Sequence, residues 1–122
     1  MSVDSHTNDT VGRSLVYEVK EEFRSSSGFN LVDSDENMLK LIIYTMPKSE
    51  SNPGLATIYS VTWVFIPKEA IFPLYLDGSM GYAGRSVVES SARGIVAATD
   101  ELISTIAEMA RDMQSGRRGG QD

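Results

Sequence analysis

Apolar residues recur through the last third of the chain at alternating steps of four and three. They are Val88, Ala92, Ile95, Thr99, Leu102, Ile106, Met109 and Met113, with Thr99 the one polar member. That spacing keeps a single helix face apolar over roughly seven turns. Ser86-Val87-Val88-Glu89 reads as a capping box at its start, so the pattern predicts a continuous helix over 86–113, about 40 Å long. A shorter stripe of Val11, Leu15, Val16, Val19 and Phe23 predicts a first helix over 11–24. Asn8, Asp9 or Thr10 can cap it, and Ser25-Ser26-Ser27-Gly28 stops it.

Between the helices the period changes to two. Tyr59, Val61, Trp63 and Phe65 alternate with Ser60, Thr62 and Val64, which predicts a strand over 58–66 with a large-residue face and a smaller, partly hydroxylated, wetter one. Further strands are expected over 29–33, 38–46 and 72–77. The Ser34-Asp35-Glu36-Asn37 segment offers turn chemistry after the first of these, and a two-proline polar loop over 47–54 follows the second. Gly78, Gly81 and Gly84 read as a flexible passage into the last helix.

Strands grouped together and joined by short connections favour antiparallel pairing, because parallel pairs need a long crossover. The fold class is α+β, in the order α-β-β-β(-β)-α. A three- to four-stranded antiparallel sheet carries both helices on one face, and the row of Tyr59, Val61, Trp63 and Phe65 meets the stripe of the last helix. At roughly 1.5–3 kcal/mol per fully buried large side chain, that contact dominates stability. Residues 1–10 are expected to be a flexible lead, 11–114 a single domain and 115–122 a flexible tail.

Composition narrows the function. The chain has 122 residues, 41% of them hydrophobic, which supplies a core for one domain. Seventeen acidic residues against eleven basic ones give a net charge of -6, and the basic residues are scattered. Phosphate contacts need clustered Lys and Arg, so a nucleic-acid partner is not expected. Cys is absent, which removes disulfides, thiol catalysis and Cys-based zinc sites. No run is long enough to span a bilayer, and the first residues lack the apolar centre of a signal peptide.

Candidate chemistry is sparse. His6 is the only histidine and falls in the polar lead, where nothing holds a base or ligand in place. Asp33-Ser34-Asp35-Glu36-Asn37 imitates a calcium loop, but Met38 stands where that loop needs Gly and Tyr44 where it needs Glu. Acid pairs such as Glu21-Glu22 and Asp100-Glu101 diverge by about 100° around a helix and do not converge on a substrate. No catalytic residue, metal ligand or cofactor site is assigned. The stretch from Gly78 to Ser86 joins a strand to a helix start, where unpaired amides attract anions. Gly81, Gly84, Arg85 and Ser86 are therefore a candidate anion or small-ligand loop, with Trp63 or Tyr82 as a wall, although its spacing is neither a Walker loop nor a dinucleotide fingerprint.

The opening helix, Ser27-Gly28-Phe29-Asn30-Leu31-Val32-Asp33, the strand ending near Met46 and Tyr59-Ser60-Val61 in the next strand form a recognisable series. Over residues 11–66 it resembles small α/β domains of bacterial envelope assembly proteins, of the Tol translocation amino-terminal and curli-secretion lipoprotein types. The acidic residue and glycine of their second strand have no counterpart in Met38-Leu39-Lys40-Leu41-Ile42-Ile43. The resemblance implies an exported, non-enzymatic assembly domain, favouring a periplasmic over a cytoplasmic place, and no functional residue is carried over from it. The reading that results is a protein-interaction or assembly module, binding another protein or itself. Its expected contacts are the distal turns of the last helix, at Ile106, Met109 and Met113, and an exposed strand edge.

Overall fold

A computed structural model describes residues 1–26, 38–67 and 72–119. The elements are β1 (Ser2–His6), α1 (Thr10–Ser25), β2 (Met38–Pro47), β3 (Ala56–Ile66), β4 (Leu74–Gly84), a 3₁₀ turn (Arg85–Val87) and α2 (Val88–Gly119). The fold is α+β, with one four-stranded sheet in the order β1-β2-β3-β4. The β2–β3 and β3–β4 pairs are antiparallel, as their short connections require, whereas β1 pairs with β2 in parallel. The sheet is therefore mixed: α1 serves as the crossover that a parallel neighbour needs.

Residues 2–6, expected in a flexible lead, are thus an edge strand, with Val3 beside Leu41 and His6 beside Tyr44. The short length of this strand hides its period from a sequence reading. At the other end, α2 runs on to Gly119, past the stop expected near Met113. The expected strand at 29–33 and the turn at 34–37 lie outside the described residues.

α1 begins where Asp9 accepts a hydrogen bond from the Gly12 amide at 3.1 Å, the expected cap. The other oxygen of Asp9 accepts from Thr45 Oγ1 on β2 at 2.8 Å, so the cap also pins the helix to the sheet. Both groups are buried. The approach is close enough that a Cβ on Gly12 would collide with the Thr45 side chain, which explains a glycine in the first turn of a helix. At the far end the Ser26 amide closes on the Phe23 carbonyl at 3.2 Å. The start of α2 departs from the expected capping box. Ser86 sits inside the 3₁₀ turn, and Gly84 precedes that turn without a side-chain cap bond.

One apolar cluster joins both helices to one sheet face. Val11, Leu15, Val16, Val19 and Phe23 of α1 and Val88, Ala92 and Ile95 of α2 close over Leu41, Ile43, Val61 and Trp63. The expected meeting of the Trp63 row with the last helix is present. Trp63 is 3% exposed and its indole Nε1 donates to Thr99 Oγ1 at 2.8 Å. Thr99 Oγ1 in turn donates to the Ile95 carbonyl at 2.8 Å. The single polar member of the stripe is therefore the acceptor that a buried indole requires.

Candidate functional site

Among the described residues the helical layer covers one face of the sheet and leaves most of the other exposed, with Val64 the buried exception. Strand register assigns the side chains of that outward face to rows crossing the sheet. His6, Tyr44, Ser60 and Met80 form one row, and Asp4, Ile42, Thr62 and Gly78 the next. Met46, Ile58 and Tyr82 lie beyond the first, and Lys40, Val64 and Tyr75 beyond the second. Met80 is 77% exposed and Tyr82 67%, and Tyr44, Met46 and Tyr75 are exposed beside them. His6, expected to be solvated in a free tail, instead stacks on Tyr44 with ring centroids 4.4 Å apart.

Charge on this surface is confined to Lys40, Asp4 and the Lys48 ammonium beside the Tyr82 ring. Lys40 is the one charged residue at an outward position of β2, β3 or β4, and it lies 4.0 Å from Asp4 of β1. The sequence marked this side as the wetter one because Ser60 and Thr62 occupy it on β3. The apolar residues come from β2 and β4, and only the register places them in one patch.

β4 is the least covered strand. Only Ala83 of its eleven residues is buried, and Asp77 is its only charge. Leu76 is the extra residue of a bulge opposite Trp63 and Val64. Among the described residues β4 is the far edge of the sheet, and a long edge strand with so little charge is an open template for an added strand.

Ile106, Met109 and Met113, expected as a helical contact, are all exposed. The stripe divides in two: Val88, Ala92, Ile95 and Thr99 are buried, whereas Met109 and Met113 are 59% and 62% exposed. By rise per residue, α2 is on the order of 10 Å longer than β3, which explains the overhang. Ile106 and Ile103 stand beside Leu39, Phe65 and Leu76 along an apolar groove of about 250 Å³.

The expected glycine loop is a different object. Gly78 and Gly81 lie within β4, paired across to Thr62 and Tyr59, so there is no flexible passage at 78–84. Gly81 is covered by the Tyr59 ring. Gly84, Arg85 and Ser86 do come together, in a groove of about 630 Å³ with Lys48, Asn52 and Tyr82. Trp63 is no wall of that groove, being in the core, whereas Tyr82 is. The guanidinium of Arg85 donates to the Gly54 carbonyl at 3.1 and 2.6 Å, and the Lys48 ammonium sits 4.3 Å from the Tyr82 ring centroid. Both cations thus already have partners. Among the described residues no group of His, Asp and Glu side chains is arranged to hold a metal, and no helix is long and apolar enough to cross a membrane.

No protein-family model and no curated protein sequence matches the chain, so the Tol and curli-secretion resemblance of residues 11–66 rests on its motif residues alone. Among solved structures, the rare lipoprotein B from Shewanella oneidensis is similar. It is 13% identical, with 93% of this chain and 99% of that chain covered and a TM-score of 0.37. The functional reading is built on the surfaces of this chain.

Proposed function

We propose that the chain is a non-catalytic protein-binding or assembly module, working in a bacterial envelope as the resemblance of residues 11–66 implies. The observation that carries protein binding is β4: among the described residues it is an edge strand of eleven residues with one buried and one charged side chain, continuous with a largely exposed apolar face. The overhanging turns at Ile106, Met109 and Met113 supply a second contact. Exposed aromatic and Met side chains in a sparsely charged setting are the composition of interface cores.

The test uses methionine itself. Met46, Met80, Met109 and Met113 are all exposed, so the chain made with photo-activatable methionine reports what lies against them. Cross-links to protein, mapped to Met80 or Met109, are expected; cross-links confined within single chains overturn the reading.

A second reading, a small-anion groove, is favoured by one observation: Lys48 and Arg85 line the same cleft as Ser86. Inorganic phosphate titrated against the amide signals of residues 48–55 and 82–88 tests it, and unchanged signals remove it.

A further inference from the structure

We propose that β4 takes up an extended segment of another protein as an added strand, one with a large apolar side chain at every second position. The inference rests on the protein-binding reading and names the mode of binding and the chemistry of the partner.

Hydrogen-bond parity fixes which backbone groups of β4 are open. The Lys48 amide donates to the Ala56 carbonyl at 3.0 Å, so the backbone groups of Ala56 turn toward β2. Direction alternates along a strand, so those of Thr57, Tyr59, Val61 and Trp63 turn toward β4. Their partners Ala83, Gly81, Ser79 and Asp77 turn to meet them. The Arg85 amide donates to the Leu55 carbonyl at 3.3 Å and keeps the same parity. Gly78, Met80, Tyr82 and Gly84 therefore turn their N–H and C=O groups away from β3, off the edge of the sheet. Asp77 closes one end of this row, because its carboxylate accepts from the Gly78 amide at 2.8 Å. From the Gly78 carbonyl to the Gly84 amide the row is open among the described residues, where β4 is the edge and Gly78, Ser79, Met80 and Tyr82 are exposed. An extended backbone is the protein partner with donors and acceptors at that two-residue spacing. Natural edges are ordinarily blunted by Lys or Pro, and the run from Gly78 to Gly84 contains neither.

The groove beside this edge selects the side chains. On the helix side, β4 and α2 leave a space of about 250 Å³ whose lining includes Ser79 on β4 and Ser91, Gly94 and Ala98 on α2, all small. Glycine costs a helix stability relative to alanine, yet a Cβ at Gly94 would meet nothing within 4 Å. The chain's own packing gives no reason for that glycine, and a side chain entering from the edge does. Alternate residues of an added strand point to this side, next to Ser79 and Gly81, where large apolar ones fill the space. β4 of a second copy would bring Ser79, Gly81 and Ala83 to the same side and leave the groove empty, so a different segment is the better fit.

The probe is a soluble synthetic peptide of alternating leucine and threonine with lysine at both ends. It is titrated into the isotope-labelled chain to about 2 mM, a range that covers the weak binding of one short strand. The amide signals of Met80, Tyr82 and Gly84 are expected to shift. Met80→Pro removes an N–H that β3 does not use, at an edge position that tolerates proline, and should weaken binding about tenfold or more. Met80→Ala keeps the N–H and should change binding by less than about threefold, because the backbone gives the affinity. Gly94→Leu fills the groove and should weaken binding severalfold. A fully N-methylated form of the peptide leaves the chain untouched and should not bind. Unchanged signals with the unmodified peptide overturn the added strand, as does an N-methylated peptide or a Met80→Pro chain that binds as well as its parent. Shifts at the same amides when the chain alone is concentrated make a second copy the occupant and overturn a separate partner. Photo-cross-links to protein at Met109 without peptide binding leave the protein-binding reading standing and remove the added strand. With neither, both fall.

Discussion

The two faces of this sheet share the same strands and differ in nearly everything else. On the helix side, Leu41, Ile43, Val61 and Trp63 lie under two helices in one closed cluster. On the opposite side, Tyr44, Met46, Met80 and Tyr82 are as large and as apolar, yet exposed. The first face is settled by the chain's own helices, and the second has no cover within the described residues. Apolar content therefore does not tell core from contact surface here. The presence of an amphipathic helix to lay across a face does, because burial rather than composition stabilises the fold. α2 repeats the lesson along its length, with one stripe buried from Val88 to Thr99 and bare at Met109 and Met113.

Matched substitutions on the two faces test this contrast, with stability read by urea denaturation at dilutions where the chain is monomeric. The largest difference is expected between Trp63→Ala and Tyr82→Ala. Truncating Trp63 empties a site closed by both layers and should cost about 3–5 kcal/mol, a large part of the stability of a small domain. Truncating Tyr82 removes a ring in contact with Lys48 on the surface and should cost no more than about 1 kcal/mol. Equal losses would mean that the outward face is covered in solution even when the chain is alone.

The same change of hydroxyl to methyl separates the faces next. Thr99→Val keeps the shape and takes away the acceptor of the Trp63 indole, whose N–H is then buried without a partner, at a cost of about 1–3 kcal/mol. Thr99→Ser restores the acceptor and should recover most of that loss. On the outward face, Thr62→Val exchanges two residues of similar strand preference at a half-exposed position and should stay within about 0.5 kcal/mol of the wild type. A loss for Thr99→Val no larger than for Thr62→Val would show that the indole finds another acceptor.

Much of the fold was legible because each part has a local signal. The stripes from Val11 to Phe23 and from Val88 to Thr99 declare the helices, the alternation from Tyr59 to Phe65 declares β3, and Asp9 was among the named caps. β1 was not legible, since Ser2 to His6 is short and polar, and its pairing is decided by β2, more than thirty positions away in sequence. β4 was half read: its glycines marked a loop by composition, but pairing with β3 over Gly78 and Gly81 overrides that preference. The candidate surfaces divide in the same way. Ile106, Met109 and Met113 can be read from one helix. The patch made of Tyr44, Met46, Ile58, Met80 and Tyr82 draws on three strands, and no single strand's period reveals it.

The smallest difference lies at those same two glycines. Neither has the positive φ that would demand glycine, so the space around each decides. A Cβ at Gly81 would stand 2.7 Å from Tyr59 Oη and 2.8 Å from its Cζ, on the helix side, where the half-buried Tyr59 ring packs against the core. Gly81→Ala must push that ring aside and should cost about 1 kcal/mol. A Cβ at Gly78 would meet Tyr75 Oη at 3.1 Å, the tip of an exposed side chain that can swing away. Gly78→Ala should therefore leave the single chain unchanged or more stable by about 0.5 kcal/mol, because it restricts the unfolded chain. Equal losses at the two glycines would show that the Tyr75 side chain is held over Gly78 as firmly as the Tyr59 ring is held over Gly81.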